Sequence, residues 1–440
     1  MTLIFNFLTT SFQEIKQHAK EDYTFLALLG LLCTIPLSYA INNVFLIAFL
    51  VSLLIGFKKT GFALNKSLIL PILLYGIMVL SLFWTIDSSL TKPALSKELA
   101  LLLIPLGFLF WKENTPQKTN LLLKYYSYTM VLYVVYYLIK ALIRFLYNGS
   151  TDVFFYHELV TKDVNAIHVS VYVAIAFFYF AQAALKPIYK NAILLLLAVF
   201  IILLSSKNIV LVFGFLTIVY YFFYTKAANK MRLRNIFIVF LLAVGALFLG
   251  KLKDRFLVEY NANTAKSITT DVISNSNQGV HNVSMKEAWS NKTFSPNDFF
   301  SGTAFRVYQT RLFFEFLKEE PIFWTGFGLN ASYNKIEEKA LTYNVFQGDE
   351  NAEGYQKKNF HNQYVQVFAE LGVFAFLLLV LMLVLLLKKG IKRKDFISIS
   401  FAVLMISLFL TESFLWRQRG VVFFSLFYCL LLTQNKSISK

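Results

Sequence analysis

The chain has 440 residues, 57% of them apolar and 15% charged, with 47 Phe, 24 Tyr and a mean hydropathy of +0.58. Soluble globular chains run nearer to about 45–50% apolar and about 25% charged, so the composition excludes a soluble enzyme and indicates a polytopic membrane protein. The formal net charge of +17 would suggest a nucleic-acid partner in a soluble domain, but here its location ties it to topology and no nucleic acid is expected.

Residues 1–23 mix Phe and Leu with Gln13, Glu14, Lys16 and Lys20 and lead directly into an apolar run. This predicts an amphipathic cytoplasmic helix on the membrane surface rather than a cleavable signal peptide. Twelve apolar runs follow, at about 24–41, 43–57, 67–85, 98–111, 121–140, 166–185, 191–205, 208–225, 235–250, 371–387, 396–412 and 420–433. Nine transmembrane helices therefore fall within 24–250 and three within 362–433. A crossing helix needs roughly 20 residues, which leaves the runs at 43–57 and 98–111 short enough to be tilted, thin or re-entrant.

With the N-terminus inside, the inner connections 1–23, 58–66, 112–120, 186–190, 226–234, 388–395 and 434–440 carry 20 Lys/Arg. The short outer connections carry seven: Lys92, Lys97, Arg144, Lys162, Lys207, Arg417 and Arg419. The bias predicts cytoplasmic N- and C-termini, the latter in the tail 434–440, with every run a span.

One outer segment, 251–361, is long and carries 13 Lys/Arg against 13 Asp/Glu, the balance of a small folded unit. Its start, Asn261 to Asn297, is rich in Asn, Ser and Thr and reads as irregular. From about Thr303, the residues Phe305, Tyr308, Leu312, Phe313, Phe316 and Leu317 recur at helical spacing up to Glu320-Pro321. A second loop helix is expected over Ala331–Leu341. The fold class is all-α and polytopic, with about twelve transmembrane helices and one large, partly helical outer loop. Cys33 and Cys429 both lie in apolar runs, so no disulfide framework exists.

The charges that need an explanation lie at spans on the less charged side. Lys207 sits in the turn Leu204-Ser205-Ser206-Lys207-Asn208; Arg417 and Arg419 crowd the turn before the last span, with Glu412 upstream. Arg306 and Arg311 lie on the loop helix, His361 ends the loop beside Asn362, and His168 opens the sixth span. Cations gathered on an outer face suit an anionic, lipid-borne ligand such as a polyprenyl pyrophosphate, and Arg offers phosphate a bidentate fork. A histidine near neutral pKa can take a proton from an attacking hydroxyl. Each has a plainer reading: snorkelling for Arg417 and Arg419, an interfacial anchor for Lys207, interfacial placement for His361. Arg311 reads as a partner of Glu315 at i+4, and His168 as an interhelical hydrogen-bonding group. The five histidines show no metal-ligand spacing and no Asp-x-Asp pair occurs; neither metal nor cofactor is expected. Walker, dinucleotide-glycine and Gly-x-Ser-x-Gly patterns are missing from the sequence as well.

Residues 361–377, His-Asn-Gln-Tyr-Val-Gln-Val-Phe-Ala-Glu-Leu-Gly-Val-Phe-Ala-Phe-Leu, closely resemble the signature of the O-antigen ligase and polymerase superfamily. Upstream, Arg306 is followed by Pro321 and by Gly326-Phe327-Gly328, similar to that family's loop segment. Ser206-Lys207 takes the place of the family's Ser-Arg, keeping the charge and losing the fork. Thr310 stands where the family usually has Trp, and Glu412–Gly420 also looks like some family versions.

The resemblance implies a GT-C-like, metal-independent, inverting glycosyltransferase of the bacterial inner membrane with its site facing the periplasm. Its donor would be a glycan on undecaprenyl pyrophosphate. Arg306 and His361 would be catalytic, and Lys207, Arg306, Arg417 and Arg419 would hold the pyrophosphate. Ser206, Arg311, Asn362, Glu412 and His168 would support them. Lipid A–core is the favoured acceptor, because the single large loop lies late. A polymerase acting on a second lipid-linked repeat and a protein-directed transferase are the alternatives, and a lipid or polysaccharide transporter without chemistry is the outside one.

Overall fold

The computed structural model describes residues 2–55, 64–111, 115–160, 164–204, 206–225, 257, 260, 262–263, 280–350 and 353–433. The expected ninth span at 235–250, the tail 434–440 and nearly all of 251–279 lie outside the described residues. Among the described residues, α1 (Thr2–Glu21) precedes α2 (Tyr23–Cys33), α3 (Tyr39–Ile55), α4 (Lys66–Leu80), α5 (Ser88–Glu98) and α6 (Ala100–Phe110). Then come α7 (Pro116–Asn148), α8 (Tyr156–Val160), α9 (Ala166–Gln182), α10 (Pro187–Leu203) and α11 (Lys207–Val219). The large loop holds strands β1 (His281–Val283) and β2 (Asp298–Phe300), paired in parallel, and helices α12 (Met285–Ser290), α13 (Gly302–Glu319) and α14 (Ser332–Thr342). The chain closes with α15 (Gln363–Arg393), α16 (Phe396–Phe409) and α17 (Gln418–Thr433).

Among the described residues, five helical stretches are long and apolar enough to cross a membrane: Lys66–Phe83, Ser88–Phe110, Pro116–Asn148, Lys207–Tyr224 and Gln363–Arg393. Six shorter apolar helices accompany them. These eleven stretches sit on eleven of the twelve apolar runs read from the sequence. Several boundaries differ from expectation: the helix of the first span already ends at Cys33, the tenth span starts at Gln363, and two further differences have a local cause. The polar stretch before residue 98 is helical, because Asp87 caps α5 by accepting from Ser89 N at 2.8 Å and Leu90 N at 3.3 Å. Helix α7 runs on through the start of an expected connection and stops only at Gly149, whose φ of +65° makes a left-handed cap.

Helix α17 is buried continuously from Gly420 to Leu432, and α9 is almost as fully enclosed. A helix that is apolar all round must be covered on every side. Accordingly α17 packs on α6 and α15, α9 on α7 and α10, and α15 on α4 and α16. At one end of this bundle Asp22 pairs with Lys118 at 2.7 Å and accepts from Trp111 Nε1 at 3.0 Å, joining the starts of α2 and α7 to the end of α6. The loop gathers at the other end and has a separate core, which includes Val283, Phe300, Tyr308, Leu312, Phe316, Ile336 and Phe360. The helical spacing read in the sequence is the inner face of α13: Phe305, Tyr308, Leu312, Phe313 and Phe316 are all buried.

The loop is fastened to the bundle at a backbone break. Gly372 inside α15 has φ +76° and ψ −175°, which interrupts the helical ladder and leaves carbonyls to be satisfied elsewhere. Phe327 N donates to Ala369 O at 2.9 Å, Gly328 N to Glu370 O at 2.8 Å, and Val373 N to Phe323 O at 2.9 Å. A Cβ on Gly372 would strike the Trp324 carbonyl, and one on Gly326 the Glu370 backbone. The Gly326-Phe327-Gly328 and Glu370-Leu371-Gly372 motifs are therefore two halves of one contact. The α4–α5 connection and the first turn of α5 grip the same turn: Ile86 N donates to Phe327 O at 3.0 Å, Trp84 Nε1 to Thr325 O at 2.8 Å and Thr91 Oγ1 to Leu329 O at 2.7 Å. Asp87 also reaches α14. Hydrogen bonds from Ser89 and from Asn334 Nδ2, the latter at 2.9 Å, hold its carboxyl down to about 2.

Candidate active site

Three chain segments far apart in sequence meet at the loop end of the bundle. Helix α13, started by the Ser301 cap, delivers Arg306 from its second turn. The chain then returns through the loop to His361, whose φ of +47° is a left-handed backbone that a histidine adopts at some cost. Asn359 Oδ1 accepts from His361 N at 2.9 Å, and Asn362 caps α15 by accepting from Tyr364 N at 3.0 Å and Val365 N at 3.1 Å. The third segment is the α16–α17 connection. Helix α16 ends at Phe409, so Glu412 lies in the connection rather than in the helix.

Glu412 joins the other two. Its Oε1 lies 3.4 Å from Arg306 Nη2 and its Oε2 lies 3.5 Å from His361 Nδ1. Arg306 is further fixed by Nε to Thr411 O at 2.7 Å and by Nη1 to Gly302 O at 2.7 Å. All three side chains are largely buried without being sealed, with 29%, 30% and 15% of the Arg306, His361 and Glu412 side chains exposed. Burial alone would raise the Glu412 pKa; the His361 hydrogen bond and the charges of His361, Arg306 and Arg417 outweigh it and hold the carboxyl below its usual value. Glu412 thus stays ionised between a guanidinium and an imidazole.

Lys207 and Ser206 stand at the start of α11, where Ser206 is the N-cap residue and is buried. Their neighbour Asn208 donates to Thr411 Oγ1 at 2.7 Å and to Ser407 O at 2.8 Å. Arg306 and the Lys207 turn therefore converge on Thr411, the residue before Glu412. Arg417 is exposed, within electrostatic reach of Glu412 and Tyr333.

The remaining expected site residues are engaged elsewhere. Arg419 donates to Leu37 O from Nε at 3.2 Å and from Nη2 at 2.9 Å and stacks on Tyr39 at 4.4 Å, pinning the α2–α3 connection to α17. Arg311 pairs with Glu315 at 2.9 Å, donates to Asn291 O at 2.6 Å and lies 4.6 Å over Tyr343, so its charge holds the loop unit together. His168 is buried, its ring 4.2 Å from Phe414, with its Nδ1 3.5 Å from the Tyr172 hydroxyl.

Two residues that sequence reasoning passed over hold the site in place. Gln366, buried in the first turns of α15, accepts from Phe360 N at 3.2 Å and from Ser413 Oγ at 3.3 Å, and donates to Glu370. Gln363 accepts from Leu415 N at 2.7 Å. Phe360 precedes His361 and Ser413 follows Glu412, so Gln366 sets the spacing of that pair. The available signal was two amides, three residues apart, at the mouth of an apolar helix.

Residues 192–380 match the family model described as O-antigen ligase, a stretch that contains Lys207, Arg306 and His361 and stops short of Glu412. No curated protein matches the chain. The match bears out the resemblance read from the sequence. It supports an O-antigen ligase- or polymerase-like function, a glycosyltransferase-like activity on lipid-linked or polysaccharide substrates.

Proposed function

We propose, for a chain whose residues 192–380 carry an O-antigen ligase domain, that it moves a glycan from undecaprenyl pyrophosphate to an acceptor hydroxyl, lipid A–core foremost, on the periplasmic face of the inner membrane. The observation that carries this reading is the shared carboxylate: Glu412 faces Arg306 on one oxygen and His361 on the other. Arg306 and Lys207 bind the donor pyrophosphate. His361 meets the acceptor. With Nδ1–H turned toward Glu412, the imidazole keeps its Nε2 lone pair for the acceptor hydroxyl. The hydroxyl oxygen attacks the anomeric carbon from the face opposite the pyrophosphate, and its proton passes to Nε2. The bond from that carbon to the pyrophosphate oxygen breaks, and the carrier leaves with the electron pair. Arg306 and Lys207 stabilise the charge that develops on it, in a setting where fixed cations need little reorganisation. Inversion at the anomeric carbon follows from this geometry of attack. Arg419, committed to Leu37 and Tyr39, is left outside the donor site.

The test is transfer by purified protein from a lipid-linked glycan donor, with lipid A–core, with donor alone, or with a protein acceptor. Product formed only with lipid A–core is the expected result. Longer lipid-linked chains from donor alone would make the protein a polymerase, and glycosylated protein would make it a protein-directed transferase. Donor bound without any carrier released would overturn the enzyme reading and leave transport.

A further inference from the structure

A second cluster lies next to the first and is used by none of the steps above. Tyr333, in the first turn of α14, has its ring 5.4 Å from that of Trp416, and Lys97 from α5 places Nζ 5.7 Å from the same indole. Three elements converge there: the loop, the α16–α17 connection and the end of α5. Trp416 and Tyr333 are half-buried, while Lys97 and Arg417 are exposed. The cluster adjoins the reacting pair, because Trp416 lies four residues after Glu412 in the same connection and the charge of Arg417 reaches the Glu412 carboxyl.

We propose that Trp416 and Tyr333, with Lys97 and Arg417 beside them, form the acceptor subsite, which takes a saccharide ring bearing an anionic substituent such as a phosphate. The proposal rests on the transferase reading and names the acceptor side of that site. Three features support it. Arg306, on the donor side, lies at one oxygen of Glu412 and His361 at the other, so the acceptor side is the side of the histidine. Half-exposed aromatic faces, carrying negative quadrupole charge, match the apolar C–H face of a sugar. Two exposed cations next to those rings complement an anion on that sugar.

The experiment measures steady-state transfer by the purified full-length chain, using lipid A–core and the same acceptor freed of phosphate with hydrofluoric acid. W416A should raise the KM for the acceptor about 2- to 10-fold, with the donor KM unchanged, and W416F should restore it. K97Q should raise the KM for the native acceptor and leave that for the dephosphorylated one unchanged. A raised donor KM, or a fall in kcat at constant acceptor KM, would overturn the proposal while leaving the transferase reading intact. Equal effects of K97Q on both acceptors would overturn its anion half. A wild-type chain that transfers to neither acceptor would instead sink the lipid A–core reading, and the subsite with it.

Discussion

At the level of single residues the site turns on one carboxylate serving two partners. Arg306 and His361 sit on different segments, and Glu412 brings them together at 3.4 and 3.5 Å. H361A is expected to lower transfer by about 10²- to 10⁴-fold, the usual contribution of a general base. R306A should cost about 10²- to 10³-fold, as for the loss of one preorganised electrostatic contact. Both variants should reach the membrane in wild-type amounts, as an immunoblot of membrane fractions would read; parallel loss of protein would make them structural. E412Q keeps the shape and removes the charge. The Glu412 pKa is depressed below the ordinary 4.5 in the fold, so its stabilising contribution is present above that value and is lost as pH falls through the depressed one. Thermal unfolding in detergent should therefore show the wild type losing stability as the medium is acidified into the carboxylate range. In E412Q that component should be missing, and an identical acid limb in both proteins would contradict the pairing. His361 and Arg306 were legible in the sequence because a lone cation or imidazole beside an apolar span demands a reason. Gln363 and Gln366 were not, since an uncharged amide at a helix start reads as an ordinary interfacial residue until its partners are known.

At the level of elements, the fold depends on the broken α15. The backbone of Gly372, with positive φ and extended ψ, costs a residue with a side chain about 1–3 kcal/mol, and the Trp324 carbonyl occupies the place where a Cβ at 372 would go. G372A should lower the unfolding temperature and, by loosening the Gly326–Gly328 turn, reduce transfer as well. Gly214 offers the control. It lies within α11, and a Cβ added there would meet nothing within 4 Å, so G214A should be neutral or stabilising by up to about 1 kcal/mol. Indistinguishable melting of the two variants would remove the strain argument. The apolar helices were legible from their length and α13 from its 3.6-residue period, whereas the short, polar α12 lies in a stretch read as irregular. What composition could not reveal was that Asp87 would start a helix in a stretch read as a connection. The pairing of Arg311 with Glu315, by contrast, was legible from its i+4 spacing, while its seat over Tyr343, a residue far along the loop, was not.

Over the whole molecule, the two ends of the bundle differ in what they hold. The end with Asp22, Trp111 and Lys118 is built from stabilising pairs, whereas the other end collects the loop, the α4–α5 connection, the Lys207 turn and the α16–α17 connection around Glu412. Charge bias assigns the first end to the cytoplasm: the connections it groups on that side carry 20 Lys/Arg against seven in the short connections of the other. That assignment makes a labelling prediction. Cys429 is buried and Cys33 partly so; both are to be replaced by Ser to clear the background, and single cysteines then introduced at the exposed positions Lys286 and Lys388. A membrane-impermeant maleimide applied to intact spheroplasts should modify K286C, and should reach K388C only after the membrane is permeabilised. The reverse pattern would put the Arg306–Glu412–His361 cluster in the cytoplasm, where a periplasmic transfer could not take place. Labelling of both cysteines from outside would require an even number of crossings between them, and would strike out α15, the one span counted between the loop and the α15–α16 connection.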